Sequence, residues 1–432
     1  MTETYHPVPR PAHLPEKLTI TLWDFSWFVR TGAGEPFADL DAAFAGAVER
    51  GYNTIRICAM PYLLFGSGLD TTELRLGPLG GGYAQQVRWY DVGAETTIDA
   101  REHLLELFRA AKRHDCFVIV SSWEYQQSPA FAADPDWYRA LHAIDPEDRA
   151  VELARAHAAL VDLLASRDLA DRIAFVELHN EVQIGHLTAG LLLDGEPATG
   201  DDAIIALTPR LERGLAAFHE LQPEVPVTVN YAHVPVAVMR SIPENLDVLV
   251  LHPYIYGVLE ALIETYGMRG PIEDFPQEAA RADLLRPGAP DLRDWGLPPE
   301  HAWRLDAMIV AKPEIYVHDW ADAATIDRWL YDHYGEHRLA MGQKLTLWLE
   351  VAADHARRRG LPLVFGEGWV GYTPLHGTFE EGPVGAQICR FAMTESARVG
   401  AWGSIVCSNA APQHPMWEDV SLQREANALF TG

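Results

Sequence analysis

The chain has 432 residues, enough for one large core and the right size for a single (β/α)8 barrel with extended loops. Its 34 basic residues against 61 acidic ones leave a formal charge of −27 spread along the sequence, which disfavours nucleic acid, an anionic membrane surface and polyanionic substrates as partners. Four cysteines, Cys58, Cys116, Cys389 and Cys407, lack zinc-type spacing and are too sparse for a disulfide framework, so they are expected as buried thiols.

The stretch from Met1 to Arg10 has no basic start followed by an apolar run, and no later stretch of about 18 residues is apolar enough to span a membrane. The expected location is the cytoplasm.

In chain order, short β-branched runs alternate with longer amphipathic segments, the pattern of βα units and a parallel sheet. The expected strands are Leu18 to Trp23, Thr54 to Cys58, Phe117 to Ser121, Ile173 to Leu178, Val227 to Tyr231, Val248 to His252, Leu363 to Phe365 and Trp402 to Cys407. Helices are expected over Leu40 to Arg50, Ile98 to His114, Val151 to Ser166, Thr208 to Leu221, Leu345 to Arg359 and Val384 to Val399. Asp39 is placed to cap the first helix and Gly51 to end it, while Gly360 and Pro362 separate the Leu345 helix from the next strand. Continuous apolar runs such as Val248 to Leu251 suit strands covered on both faces, as in a barrel. The fold class is therefore α/β, a (β/α)8 TIM barrel over residues 1–432.

Two stretches are too long to be simple connections and belong on the catalytic face. One runs from Ala59 to about Thr97. The other, 257–337, is rich in Pro, Asp and Trp and reads as an insertion after strand six, a candidate lid over the site.

Two glutamates stand where apolar runs open into loops: Glu181 in Glu177-Leu-His-Asn-Glu181, and Glu367 in Val364-Phe-Gly-Glu367-Gly-Trp. Cleaving a glycosidic bond needs one carboxylic acid to protonate the leaving oxygen and one carboxylate to attack or to activate water. Strands four and seven of a barrel bring their C-terminal ends to one pocket, so this pair suits that chemistry.

The residues around the pair resemble the cellulase-like clan of retaining (β/α)8 glycoside hydrolases, family five and its relatives. The match runs over Arg56 in Asn53-Thr-Ile-Arg56-Ile, Glu177-x-x-Asn180-Glu181, His252-Pro-Tyr254 and Phe365-Gly-Glu367-Gly, from strand two to strand seven. The resemblance implies Glu181 as acid/base, Glu367 as nucleophile and Asn180 as donor to the sugar 2-hydroxyl, acting on β-linked oligosaccharides or small glycosides, or the equivalent pentosides, with no metal and no organic cofactor. Arg56 and Tyr254 would hold Glu367 ionised, and His252 would donate to either carboxylate or to the sugar. Glu177 would pair with Arg56 inside the barrel. The sequence departs from the clan in having Val182 after the acid/base, and strand eight ends in Val406-Cys-Ser-Asn409 without a tryptophan under the sugar. Among the thirteen tryptophans, Trp369, Trp23 and Trp27 are candidates for the stacking face instead, with His179 and Asn409 as further substrate-lining candidates.

Two other classes compete. A metal-dependent barrel hydrolase would draw ligands from His179, Glu181, His252, His318 and Asp319, although the His-x-His of an early strand is missing. A non-catalytic sugar-binding barrel would keep the fold and lose the chemistry, which the presence of both acids, Asn180 and His252-Pro-Tyr254 opposes.

Overall fold

The structure is a computed structural model that describes residues 5–371 and 374–432; Met1 to Thr4 of the N-terminal stretch lie outside it. Barrel strands β1 (Leu18–Asp24), β2 (Thr54–Cys58), β3 (Phe117–Ser121) and β4 (Ile173–Glu177) pair in parallel in that order. Strand β5 is split at Val229: Val227–Thr228 pairs with β4, and Asn230–Tyr231 pairs with β6 (Leu249–Leu251). The ring continues through β7 (Leu363–Phe365) and β8 (Gly403–Ile405) back to β1, giving a closed parallel barrel.

The expected strands are all present: β2, β3 and β7 keep their bounds, β4, β6 and β8 are trimmed by a residue or two at their ends, β5 is interrupted at Val229, and β1 runs one residue further, to Asp24. Alternate residues of different strands, Leu18 and Ile20, Phe117 and Ile119, Val248 and Val250, with Phe175 and Val364, form one apolar cluster that fills the barrel. A far larger cluster lies between the strands and the helices outside them. All four cysteines are buried and unbridged.

Helix α1 (Leu40–Glu49) starts where Asp39 accepts the backbone N–H of Ala42 at 3.0 Å, and the chain leaves it through Gly51 at φ +82°. Helix α2 (Ala100–Arg113) is capped in the same way by Asp99. Helix α3 (Arg149–Ala165) lies close to its expected bounds. Helix α4 (Asp201–Leu221) begins seven residues before the expected Thr208, because Pro209 does not break it. The proline leaves only the Ile205 carbonyl without its helical N–H, and Asp201 and Asp202 favour the N-terminal end of the dipole.

Between β6 and β7 the chain passes through α5 (Val258–Thr265) and α6 (Lys312–Trp320) into α7 (Ala323–Arg359), a helix of 37 residues. The expected helix from Leu345 is only its last part. Its first half escapes a periodicity reading because the buried positions Ile326 and Leu330 are separated from Met341, Leu345 and Leu349 by a largely polar stretch containing Gly335. Helices α8 (Pro383–Arg398) and α9 (Val420–Thr431) complete the outer layer. Among the described residues no helix is long and apolar enough to cross a membrane.

Candidate active site

Arg56 stands inside the barrel on β2, fully buried, and its guanidinium organises the residues around it. Nη2 donates to Glu177 Oε2 and to Asn180 Oδ1, both at 2.7 Å, and Nε donates to Glu177 at 3.0 Å. Nη1 donates to Glu367 Oε1 at 2.7 Å. Burial opposes the charge on Arg56, but Glu177 and Glu367 outweigh it and raise the guanidinium pKa above its usual value. The ring of Trp123 lies 4.7 Å from its central carbon.

This buried network carries a stability cost when broken. Arg56→Met removes the cation and leaves two buried carboxylates facing each other, a change expected to cost roughly 3–5 kcal/mol. Denaturant unfolding of the variant should show a lower midpoint with an unchanged slope; a midpoint equal to wild type would mean that water compensates both carboxylates.

Glu181 follows β4 with a left-handed backbone, φ +43°, and its N–H donates to Asn230 Oδ1 at 2.6 Å. Asn230 also donates from Nδ2 to Glu177 Oε2 at 2.9 Å, so β5 ties the acids of β4 together. The Glu181 side chain is 12% exposed. Burial pushes its pKa up to about 7 against the opposing pulls of Arg56, Gln126 and His233.

Glu367 sits differently. Its second oxygen, Oε2, accepts the Tyr254 hydroxyl at 2.7 Å, and that hydroxyl lies 2.7 Å from Ser408 Oγ. Arg56 thus donates to one oxygen of Glu367 and Tyr254 to the other. His252 Nδ1 lies 3.0 Å from Glu181 and 3.7 Å from Glu367, nearer the first. Burial lowers the imidazole pKa to about 4, so His252 is neutral at pH 7. Its Nε2 side packs against the strand at Gly366, where a side-chain Cβ would lie 3.0 Å away.

Glu181, His252 and Glu367 each place a ligand-type atom within 4.8 Å of the other two. A cation held there would share Glu367 Oε1 with the Arg56 guanidinium, an unfavourable neighbour for a metal. The other residues of the metal reading are not gathered with them. His179 Nε2 accepts the Tyr125 N–H at 3.0 Å, and Asp319 accepts the N–H of Gln86 at 2.9 Å.

A cavity of about 700 Å³ opens over the two acids, and its wall includes Asn180, Glu181, Tyr254 and Glu367. Four expected lining residues are corrected: Trp23, His179, Trp369 and Asn409 are buried and do not contribute to the cavity wall. Trp23 packs against Phe37 and Phe44 beneath α1, and Trp369 turns its indole N–H to the Val406 carbonyl at 2.8 Å. Trp27, the third stacking candidate, donates to the Cys58 carbonyl and is equally buried. The aromatic wall is formed by Trp89, Trp123 and Trp348 instead.

Asp24, Phe25 and Gln127 also line the cavity, outside the motifs that carry the family resemblance. An acid closing the apolar strand Leu-Thr-Ile-Thr-Leu-Trp-Asp24 is the same signal that marks Glu181 and Glu367.

A family model for sugar-binding cellulase-like proteins matches residues 20–430. Among solved structures, a candidate glycoside hydrolase of Parabacteroides distasonis has a TM-score of 0.67 at 20% identity, covering 96% of this chain and 93% of its own. A broad-specificity GH5-4 endoglucanase of Clostridium acetobutylicum has a TM-score of 0.44 at 12% identity, covering 90% of this chain and 86% of its own. A GH5-4 broad-specificity endoglucanase from an uncultured bacterium has a TM-score of 0.47 at 11% identity, covering 91% and 85%. No curated protein matches the chain. At such identities the Parabacteroides likeness is one of fold, the same closed barrel. The family match runs from the first strand to the last helix and spans Arg56, Glu181, His252 and Glu367, so the chain belongs to the sugar-binding cellulase-like family.

Proposed function

We propose that the protein is a retaining glycoside hydrolase acting on β-linked short oligosaccharides or small glycosides, or on the equivalent pentosides, with Glu181 as acid/base and Glu367 as nucleophile. The observation that carries this reading is the contrast between two adjacent carboxyl groups. One is raised to about 7 by burial, the other is held by Arg56 and Tyr254, and their facing oxygens lie within 4.8 Å. Retention requires carboxyl groups about 5–5.5 Å apart, whereas inversion needs about 6.5–9.5 Å to admit a water between them.

In the first step Glu181 gives its proton to the glycosidic oxygen while Glu367 attacks the anomeric carbon from the other face. The leaving group departs with that proton, and the sugar is bonded to Glu367. Glu181, now a carboxylate, takes a proton from water, whose oxygen displaces Glu367 and restores both groups. Asn180, oriented by Arg56 on its oxygen and donating from Nδ2 to Gln126 at 3.0 Å, stands beside the site of the sugar 2-hydroxyl.

The 257–337 stretch supplies Glu260, Arg269, Ile309, Val310, Glu314 and His337 to the cavity wall, which supports its role as a lid that restricts the site to chain ends or small glycosides. The test is hydrolysis of a panel of aryl β-glycosides and β-pentosides, with the product anomer followed by proton NMR. The first-formed anomer should match the substrate. An inverted product would remove Glu367 as nucleophile, and internal cleavage of a long soluble polysaccharide as the main activity would remove the lid.

A further inference from the structure

The cavity has two unlike ends. Leu22, Asp24, Phe25, Trp123 and Gln127 are buried and close one end, whereas Ala340 and Lys344 on α7 are exposed at the other. Glu181 and Glu367 both line the cavity, with Ile184 and His233 on the segments following β4 and β5. Glu367 is near enough to Asp24 for its charge to oppose ionisation of Asp24, so a sugar bonded to Glu367 would lie beside the buried wall that holds Asp24.

Asp24 has hydrogen-bond partners but, among the described residues, no partner for its charge. It is 2% exposed, and among the described residues no cation lies within salt-bridge distance, whereas buried acids are normally paired. Arg30, the nearest guanidinium by charge, is paired with Asp91. Asp24 Oδ1 accepts the Ser26 N–H at 2.5 Å, and Oδ2 has only a long contact of 3.3 Å from Gln413 Nε2, leaving acceptor capacity turned to the cavity.

Building on the glycosidase reading, we propose that Asp24 is the specificity-determining acceptor of the closed end, binding hydroxyl groups of a neutral, unsubstituted terminal sugar held against Trp89 and Trp123. Burial pushes the Asp24 pKa up to about 7, so its carboxyl accepts two hydroxyl hydrogens in charge-assisted bonds at and above that pH, and the buried wall behind it leaves no passage for a further sugar unit. A uronic acid would set its carboxylate against Asp24 and Glu367 and be rejected.

The experiment compares wild type with Asp24→Asn on methyl and aryl β-glycosides of glucose, mannose, galactose and xylose, and on the monodeoxy analogues of whichever sugar is accepted, reading both hydrolysis and equilibrium binding. Asparagine keeps the shape and the acceptor for Ser26 N–H, and its NH2 replaces an oxygen whose only protein contact is the long one of 3.3 Å from Gln413 Nε2, which keeps its bond to the Leu22 carbonyl. A thermal melt checks that it folds, and Asp24→Ser provides a second, smaller acceptor. Asp24→Asn should lose about 100-fold in kcat/KM. One monodeoxy sugar should cost wild type about as much, while costing the variant less than about threefold more, the signature of a direct contact. Equal losses on every monodeoxy sugar in both proteins would overturn the proposal and leave the glycosidase reading standing. Binding that depends on Asp24 without any cleavage would keep the proposal and remove the catalytic reading. Neither binding nor cleavage across the panel would sink both.

Discussion

Glu367→Gln is expected to lower kcat/KM on the best aryl glycoside by on the order of 10⁴-fold or more, with little change in KM. Glutamine fits the space: its one oxygen accepts from Arg56, and its NH2 donates to the Tyr254 hydroxyl, which is left to donate to Ser408, but the amide is a poor nucleophile and no glycosyl-enzyme bond forms. The loss should hardly depend on the leaving group, because attack on the anomeric carbon is needed for every substrate. Activity within about tenfold of wild type would move the nucleophile elsewhere and leave Glu367 as a partner of Arg56. The variant should remain folded, since Arg56 keeps its two bonds to Glu177.

Glu181→Gln should lose about 10²–10⁴-fold on substrates with poor leaving groups and far less on a dinitrophenyl glycoside, whose departure needs no proton. Its pH profile is the sharper reading. The acid must be protonated to act, and burial raises its pKa to about 7, so wild-type kcat/KM should fall as pH rises through about 7. The glutamine variant should lack that limb; an unchanged limb would assign it to another group. Stability should fall over the same rise in pH. From the ordinary value of 4.5 to about 7 the folded protein holds a proton that the unfolded chain has released, so stability falls as pH rises through this window. The cost above pH 7 is at most about 3 kcal/mol. Glu181→Gln should therefore melt a few degrees above wild type at pH 8 and level with it at pH 4, by differential scanning calorimetry.

The eight strands, and the bringing together of Arg56, Glu181, His252, Tyr254 and Glu367, were determined by the sequence itself. Short apolar runs ending in polar residues are a local signal, and a parallel barrel sends every strand's C-terminal end to one face whatever the helices do. Side-chain direction was not local. Trp23 and Asp24 are neighbours at the end of β1, yet the first packs under α1 and the second lines the cavity, because successive residues of a strand point to opposite sides. The same alternation of sides, together with the path of the loops, removes Trp369, His179 and Asn409 from the cavity wall and puts Trp89, Trp123 and Trp348 into it. The full length of α7 also waited for the tertiary structure: its first half has no continuous apolar stripe and gains its place from the cavity it lines and from α5, against which the helix packs, contacts made by residues far apart in the chain. Chemistry-bearing residues at strand ends could be read from the sequence because the backbone alone places them, whereas the shape of the space between them depends on how distant segments pack.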